Sequence, residues 1–171
     1  MLCNLHIYCA FLPSEMVESC TDSTPLLYSL SDTSITASST HGSYSTSASR
    51  LHNLLNYACW ASGLNQPGEY IQADLLQVYV IQGFAARGRG DGNTQFVTSF
   101  KFATSMDGGT FNTVQLWNGQ ERIFLGNTDA TGIVSHSIDS TDAQFVRLIA
   151  MSWTNHISLR WEVYACVSSC E

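Results

Sequence analysis

The 171-residue chain contains few charged residues, and few of those are basic. Asp, Glu, Lys and Arg make up 12% of the chain, with Lys+Arg at 7, Asp+Glu at 14 and a formal net charge of −7. Because about a quarter is usual, the polar surface must consist largely of Ser, Thr, Asn and Gln. A nucleic-acid binder needs clustered Lys and Arg to displace counterions, and here they are scattered singly. We therefore expect no nucleic-acid partner.

Motifs of catalysis and metal binding are also missing. The sequence has no H-E-x-x-H, G-x-S-x-G, P-loop or G-x-G-x-x-G pattern. It has no C-x-x-C, no zinc spacing of Cys and His, and no EF-hand loop. A hydrolase needs a nucleophile, a base and an orienting group brought together, and nothing here favours such a set. We expect a protein that is not an enzyme, has no cofactor and has no assignable metal ligands.

Long helical periodicity is absent, and short apolar runs alternate with turn residues such as Asn65-Gln-Pro-Gly68 and Asp107-Gly-Gly109. This spacing is typical of a β-sandwich or barrel. Seven runs are predicted to be strands: Thr33–Ser38, Tyr70–Leu75, Tyr79–Ala86, Thr98–Thr104, Gly132–Ser137, Gln144–Ala150 and Ile157–Tyr164.

The run from Ser152 to Cys166 has the clearest pattern. Apolar and polar residues alternate in its second half: Ile157, Leu159, Trp161 and Val163 against Ser158, Arg160 and Glu162. The alternation predicts a strand with one buried face and one face in water.

Six cysteines are present: Cys3, Cys9, Cys20, Cys59, Cys166 and Cys170. Cys20 and Cys166 lie at the two ends of the predicted domain, so we expect them to pair, against the alternative of free thiols in a reducing compartment. Closing so long a loop stabilises by roughly 5 kcal/mol in the chain-entropy model. Cys59 is interpreted as a buried free thiol, with Cys3 or Cys9 as alternative partners. Cys170 has the same two candidate partners, or another chain.

Three segments are expected. Residues 1–19 have no Lys or Arg before their apolar stretch, and we expect a poorly ordered extension, either a poor signal peptide or the remnant of an upstream region. Residues 20–166 form the predicted domain, and residues 167–171 a C-terminal tail.

Several motifs occur in the order of one known family. They are Ser31-Asp32 with Ile35-Thr-Ala-Ser-Ser39, Ala48-Ser-Arg-Leu51, Trp60, Tyr70-Ile-Gln-Ala-Asp-Leu75, Arg87-Gly-Arg89, Ser105-Met-Asp-Gly108, Ile123-Phe-Leu-Gly-Asn127-Thr-Asp129 and Phe145-Val-Arg-Leu148. From Cys20 to Cys166 the chain resembles the discoidin domain, also called the coagulation factor 5/8 type C domain. One departure is Leu76, where the family often has glycine.

The resemblance implies an all-β, eight-stranded jelly-roll β-sandwich of the galactose-binding-domain-like type, with its ends joined by a disulfide. It also implies an extracellular, non-catalytic module for adhesion or recognition, secreted or part of a larger ectodomain. Family members bind glycans, proteins or phospholipid headgroups, and some hold a structural calcium ion. Arg160 or Arg147 is expected to be a structural arginine that pairs with Asp74.

Three projecting loops carry the ligand surface in this family, and by position they are His41–Ser49, His52–Ala58 and Arg89–Gln95. The candidate binding residues are His41, Ser43, Tyr44, Asn53, Leu54, Leu55, Asn56, Tyr57, Arg89, Asp91 and Asn93. Lipid-binding members carry large apolar side chains at the first loop tip, whereas this loop offers only Tyr44. We therefore expect a glycan or a cell-surface or matrix protein as ligand. The alternative is a phospholipid membrane, bound through Leu54, Leu55 and Tyr57.

The third loop contains an Arg-Gly-Asp triplet, Arg89-Gly90-Asp91, flanked by Gly88 and Gly92. Integrins pair the arginine of such a triplet with an acidic pocket and place the aspartate on a metal ion. Since the family commonly has Gly-Arg here, a chance match needs only one further glycine. Integrin binding is therefore a minor hypothesis.

Overall fold

A computed structural model of the protein describes residues 23–53 and 59–166. Nine strands occur in these residues: β1 (Ser23–Pro25), β2 (Ile35–Ala37), β3 (Trp60–Ala61), β4 (Tyr70–Arg87), β5 (Phe96–Ser105), β6 (Asn112–Thr113), β7 (Phe124–Leu125), β8 (Ile133–Thr154) and β9 (Ser158–Cys166). Three single-turn 3-10 helices span Leu27–Ser29, Asp32–Ser34 and Thr46–Ala48. In this part of the chain no helix is long and apolar enough to cross a bilayer.

The all-β prediction is confirmed, and each predicted strand overlaps an observed one. The strand boundaries differ, because β4 and β8 each join two predicted strands into one long element. Their pairing shifts register between Asp74 and Tyr79, where Leu76 adopts a positive φ of 67°. That conformation suits glycine, which explains why the family often has glycine at this position.

Antiparallel pairing connects β1, β9, β4, β8, β5 and β6 in that order, with β2 on β4, β3 on β9 and β7 on β5. The first and last strands are neighbours, and Ser23 lies opposite Cys166. Cys20 precedes the described residues, so its disulfide with Cys166 stays a prediction. The register supports the prediction, because Ser23, which lies opposite Cys166, is only three residues after Cys20 in the sequence.

The core is aromatic at its centre. Phe84 of β4 stacks on Phe102 with ring centroids 4.6 Å apart, and meets Phe124 edge-on at 5.1 Å. Trp60 and Trp161 are fully buried beside this cluster. Burying such side chains contributes roughly 1.5–3 kcal/mol each, so the core holds the loops on a rigid base.

The prediction that the polar face of β9 is exposed to solvent is wrong. Arg160 is 4% exposed, Glu162 is 1% exposed, and Ser158 is buried as well. The first 3-10 helix lies over Glu162, whose carboxylate accepts a hydrogen bond from the Leu27 amide at 2.6 Å. Burial raises the pKa of Glu162, although its backbone hydrogen bonds act in the opposite direction.

The predicted ion pair of Arg160 or Arg147 with Asp74 is also wrong. Arg160 donates to the carbonyls of Gly88 and Asn53. Arg147 donates to the Gln72 side chain and lies over two aromatic rings. The Asp74 carboxylate instead accepts from the Leu76 amide at 2.8 Å, which closes the turn where β4 changes register.

Cys59 is a buried free thiol, as predicted. Burial raises its pKa to about 11. Since the thiolate is the reactive form, this cysteine acts as a small apolar residue of the core.

Candidate ligand-binding cleft

The first loop, His41–Ser49, is fixed to strand β3 by backbone hydrogen bonds. His41 donates to the Ala61 carbonyl at 2.9 Å, and the Ala61 amide donates back to Tyr44 at 3.3 Å. Gly42 takes a positive φ of 52° within this turn. The pairing sets His41 and Tyr44 side by side, with ring centroids 6.1 Å apart.

The third loop, Arg89–Gln95, is closed at its base by a hydrogen bond from the Arg89 amide to the Gln95 carbonyl at 3.0 Å. Gly90 adopts a positive φ of 74°, and a Cβ at this position would clash with the Arg160 guanidinium. Arg160 also donates to the Gly88 carbonyl. The buried arginine of β9 therefore supports the loop from below.

Arg89 joins the two loops. Its Nη2 donates to the Tyr44 hydroxyl at 2.5 Å, and its guanidinium carbon lies 4.4 Å from the centroid of that ring. Nη1 donates to the Gln95 side chain at 2.8 Å, and Nε donates to the Asp91 carboxylate. The terminal nitrogens each carry a second N–H, so the guanidinium is held in place while still able to donate to a ligand.

A third element completes the site, namely the turn between β8 and β9. His156 in this turn meets His41 edge-on, with ring centroids 5.4 Å apart. Asn155 positions the turn by donating to the Thr94 carbonyl at 2.7 Å. Together these elements enclose a cleft of about 140 Å³ lined by His41, Tyr44, Ala61, Arg89, Gln95 and His156.

Charge in the cleft is balanced within the third loop. Arg89 and Asp91 form an ion pair at 2.8 Å, and both side chains are largely buried. Burial acts to raise the pKa of Asp91, but hydrogen bonds from Asn93 and Arg89 outweigh it and hold that pKa below its usual value. The pair is therefore ionised at neutral pH, and the cleft presents donors and rings with little net charge.

The predicted site residues fall into distinct groups. His41, Tyr44 and Arg89 line the cleft. Asp91 does not line the cleft but forms the ion pair with Arg89. The Asn93 side chain donates a hydrogen bond to the Asp91 carboxylate. Ser43 is exposed on the first loop, and the Asn53 carbonyl accepts from Arg160 at 3.1 Å.

The remaining candidates, Leu54, Leu55, Asn56 and Tyr57, lie outside the described residues, so the membrane alternative stays a prediction. Three cleft residues were not among the predicted candidates: Ala61, Gln95 and His156. Gln95 ends the predicted third loop, and its position there was a usable signal. Nothing in the sequence marked His156, because its loop joins the site only through the fold.

The geometry of Arg89-Gly90-Asp91 disfavours the integrin hypothesis. An integrin must contact a free guanidinium and a free carboxylate, whereas here the two groups bind each other. Breaking a largely buried pair leaves both charges poorly compensated.

The acidic turn at Asp107 uses its carboxylate for local hydrogen bonds. Asp107 accepts from the amides of Gly109 and Thr110, both at 2.9 Å. Across residues 23–53 and 59–166, no group of three or more His, Cys, Asp or Glu side chains is arranged to hold a metal ion. Calcium also takes backbone and amide oxygens as ligands, so a structural calcium ion stays a prediction.

Comparison with solved structures places the fold among known domains. The chain is similar to discoidin II from Dictyostelium discoideum, with a TM-score of 0.75 and 24% identity over 87% of this chain and 60% of that one. It is also similar to a family 32 carbohydrate-binding module from Clostridium perfringens in complex with GalNAc-β-1,3-galactose, with a TM-score of 0.64 and 18% identity, covering 83% and 100% of the two chains. At these identities the likeness concerns the fold.

Sequence relatives give the family. The chain is 34% identical over 143 residues to dog coagulation factor VIII, which covers 80% of this chain but 6% of the length of that relative. The F5/8 type C domain model matches residues 34–163. The chain therefore belongs to the F5/8 type C domain family.

Proposed function

We propose that this protein is a non-catalytic, extracellular recognition module that binds a glycan in the cleft between the first loop, the third loop and the β8–β9 turn. Its low charge and Ser/Thr-rich composition, together with the predicted Cys20–Cys166 disulfide, support an extracellular location. Family membership supports a binding role.

The chemistry of the cleft favours a sugar. A sugar ring has an apolar face that packs on an aromatic ring and hydroxyls that need donors and acceptors. Tyr44 offers a half-buried ring, and Arg89, His41 and His156 offer donor and acceptor nitrogens. Such convergent polar groups around an apolar surface are typical of small-ligand sites.

One observation carries the proposal. Arg89 is fixed by Tyr44, Asp91 and Gln95 at the same time, so its guanidinium is oriented before any ligand arrives. Preorganisation of this kind lowers the ordering cost of binding.

A glycan array followed by calorimetry tests the proposal, with galactose and GalNAc-β-1,3-galactose as defined probes. We expect Tyr44→Ala and His156→Ala to weaken binding at least about tenfold, equal to about 1.4 kcal/mol. The matched control is Tyr28→Ala, because Tyr28 is an exposed tyrosine outside the cleft. Unchanged affinity in the two cleft variants, or no binding to any glycan, would sink the proposal.

The membrane alternative is separated by liposome sedimentation. If the second loop inserts into lipid, the double change Leu54→Ser/Leu55→Ser abolishes sedimentation while Tyr44→Ala does not. Under our proposal, neither variant binds vesicles differently from the wild type. Strong vesicle binding that depends on the two leucines would replace the glycan proposal.

A further inference from the structure

A second surface feature lies outside the cleft, on the hairpin between β6 and β7. Trp117 at its tip is 98% exposed. Leaving a whole indole in water forgoes the favourable burial of a large apolar side chain. Exposed aromatic residues of this size are typical of binding surfaces.

The hairpin holds Trp117 rigidly. The Leu116 amide donates to the Gln120 carbonyl at 2.7 Å, and the Gly119 amide donates to the Leu116 carbonyl at 2.9 Å. Gly119 has a positive φ of 79°, as a three-residue hairpin loop with a bulge requires. The indole is therefore presented on an ordered turn rather than on a floppy loop.

The base of the hairpin is also fixed. Glu121 accepts from Lys101 at 2.6 Å and from the Thr113 hydroxyl at 3.0 Å. Gln115 pairs with Glu121 across the hairpin. These contacts tie the hairpin to β5 and β6, so the indole has a defined position relative to the sheet.

An open groove of about 410 Å³ adjoins this base, and Gln115, two residues before Trp117, lines it. Its lining is Thr104, Asn112, Thr113, Val114, Gln115, Ile138, Asp139 and Thr141. Hydroxyl, amide and carboxylate groups predominate, with two aliphatic side chains between them. This set can exchange hydrogen bonds with several hydroxyls at once.

We propose that the groove and Trp117 form a second saccharide site, which takes an uncharged oligosaccharide with one sugar stacked on the indole. Asp139 in the groove disfavours sulfated or sialylated chains by charge repulsion. The polar lining and acidic edge likewise disfavour an anionic membrane. The site shares no lining residue with the loop cleft, so either can exist without the other.

Quenching of the Trp117 fluorescence can report directly on binding at this site. The chain has four tryptophans, of which Trp60 and Trp161 are buried and Trp153 is half-buried. The full chain is titrated with cellotetraose, chitotetraose and GalNAc-β-1,3-galactose, and acrylamide quenching is read at each step. We expect at least one probe to protect Trp117 from quenching. No protection by any of them contradicts the proposal.

Variants then assign the site. Trp117→Ala and Asp139→Ala are each expected to weaken binding of the protecting probe by about tenfold in calorimetry. Trp117→Tyr, which keeps a ring, retains most of the affinity. Tyr44→Ala leaves this binding unchanged, which separates the groove from the loop cleft.

Two other occupants are outcomes that would overturn the proposal. One is protection of Trp117 by phosphatidylcholine–phosphatidylserine vesicles but by no saccharide. The other is concentration-dependent self-association that Trp117→Ala abolishes. Saccharide binding unaffected by both Trp117→Ala and Asp139→Ala overturns it as well.

Discussion

Leu76 is a residue held in a backbone conformation that suits glycine. Its φ is 67° and its side chain is largely exposed. The left-handed region costs a non-glycine residue roughly 1–2 kcal/mol, and a glycine at this position would relieve that strain. Part of the gain in stability is offset because glycine is more flexible in the unfolded chain. We expect Leu76→Gly to raise the free energy of unfolding by about 1 kcal/mol in urea denaturation.

The matched control is Leu76→Ala, which removes the same exposed side chain but keeps a Cβ. It should give no comparable gain, because the strain remains. Equal stability of the two variants would show that the left-handed backbone carries no cost here.

Arg160 is a second residue whose role depends on its surroundings. It is buried and donates to the carbonyls of Gly88 and Asn53. Arg160→Met leaves the buried Gly88 oxygen unsatisfied, which costs about 1–3 kcal/mol, and it removes the support beneath Gly90. We expect lower stability in urea together with weaker glycan binding, whereas Arg122→Met, at a less buried arginine, changes both much less.

The sequence singled out Leu76 and Arg160 as unusual, but it did not predict the conformation of the first or the hydrogen-bond partners of the second. Leu76 was identified as a departure from the family pattern, and its positive φ supplies the reason. Arg160 was expected to be structural, yet its predicted partner Asp74 was wrong. A side chain's type can be judged locally, but Arg160 binds carbonyls 72 and 107 residues away, and only the fold brings them together.

At the level of elements, the third loop depends on an ionised Asp91. The folded-state pKa of Asp91 lies below its ordinary value, so its stabilising contribution is present above the unfolded pKa, near 4, and is lost as pH falls through the folded pKa. We expect Asp91→Asn to cost roughly 1 kcal/mol at neutral pH, as a partly buried ion pair suggests.

The check is a comparison of urea unfolding for the wild type and Asp91→Asn between pH 7 and pH 2.5. The stability difference should be constant above about pH 5 and shrink toward zero below it. A difference that is independent of pH across this range would mean that the carboxylate charge does not hold the loop.

Strand β9 illustrates what periodicity can and cannot predict. The alternation correctly predicted the strand and its apolar face, since Ile157, Leu159, Trp161 and Val163 are all buried. It wrongly predicted a solvent-exposed polar face, because the first 3-10 helix, which begins at Leu27, lies over Glu162. Local pattern identifies an element, whereas its second face depends on what the rest of the chain lays over it.

At the scale of the whole molecule, a disulfide between Cys20 and Cys166 is predicted to join the two ends of the domain. Ser23 pairs with Cys166 in the sheet, and Cys20 is close to Ser23 in the chain. We expect Cys20→Ser to lower the free energy of unfolding by about 2–5 kcal/mol, measured in urea without reductant. Cys59→Ala, which changes the buried free thiol, is the control for losing a cysteine. Retention of full stability in Cys20→Ser would exclude this pairing.

The fold was predictable because ordered motifs run along most of the chain, from Ser31-Asp32 to the last strand. The cleft was predictable only in part. Tyr44 and Arg89 lay in loops that the family resemblance identified, but His156 lies more than 60 residues beyond the third loop in sequence. Sites assembled from separated loops need the three-dimensional arrangement before all their members can be named.

Glycan binding in the cleft formed by His41, Tyr44, Arg89, Gln95 and His156 can be observed directly in solution. The most direct measurement is chemical-shift mapping of isotope-labelled protein during titration with galactose and GalNAc-β-1,3-galactose. We expect saturable shifts of the His41 and His156 imidazoles and the Arg89 Nε–H, with the buried core unaffected. Absence of shifts at these groups, with either sugar, would contradict it.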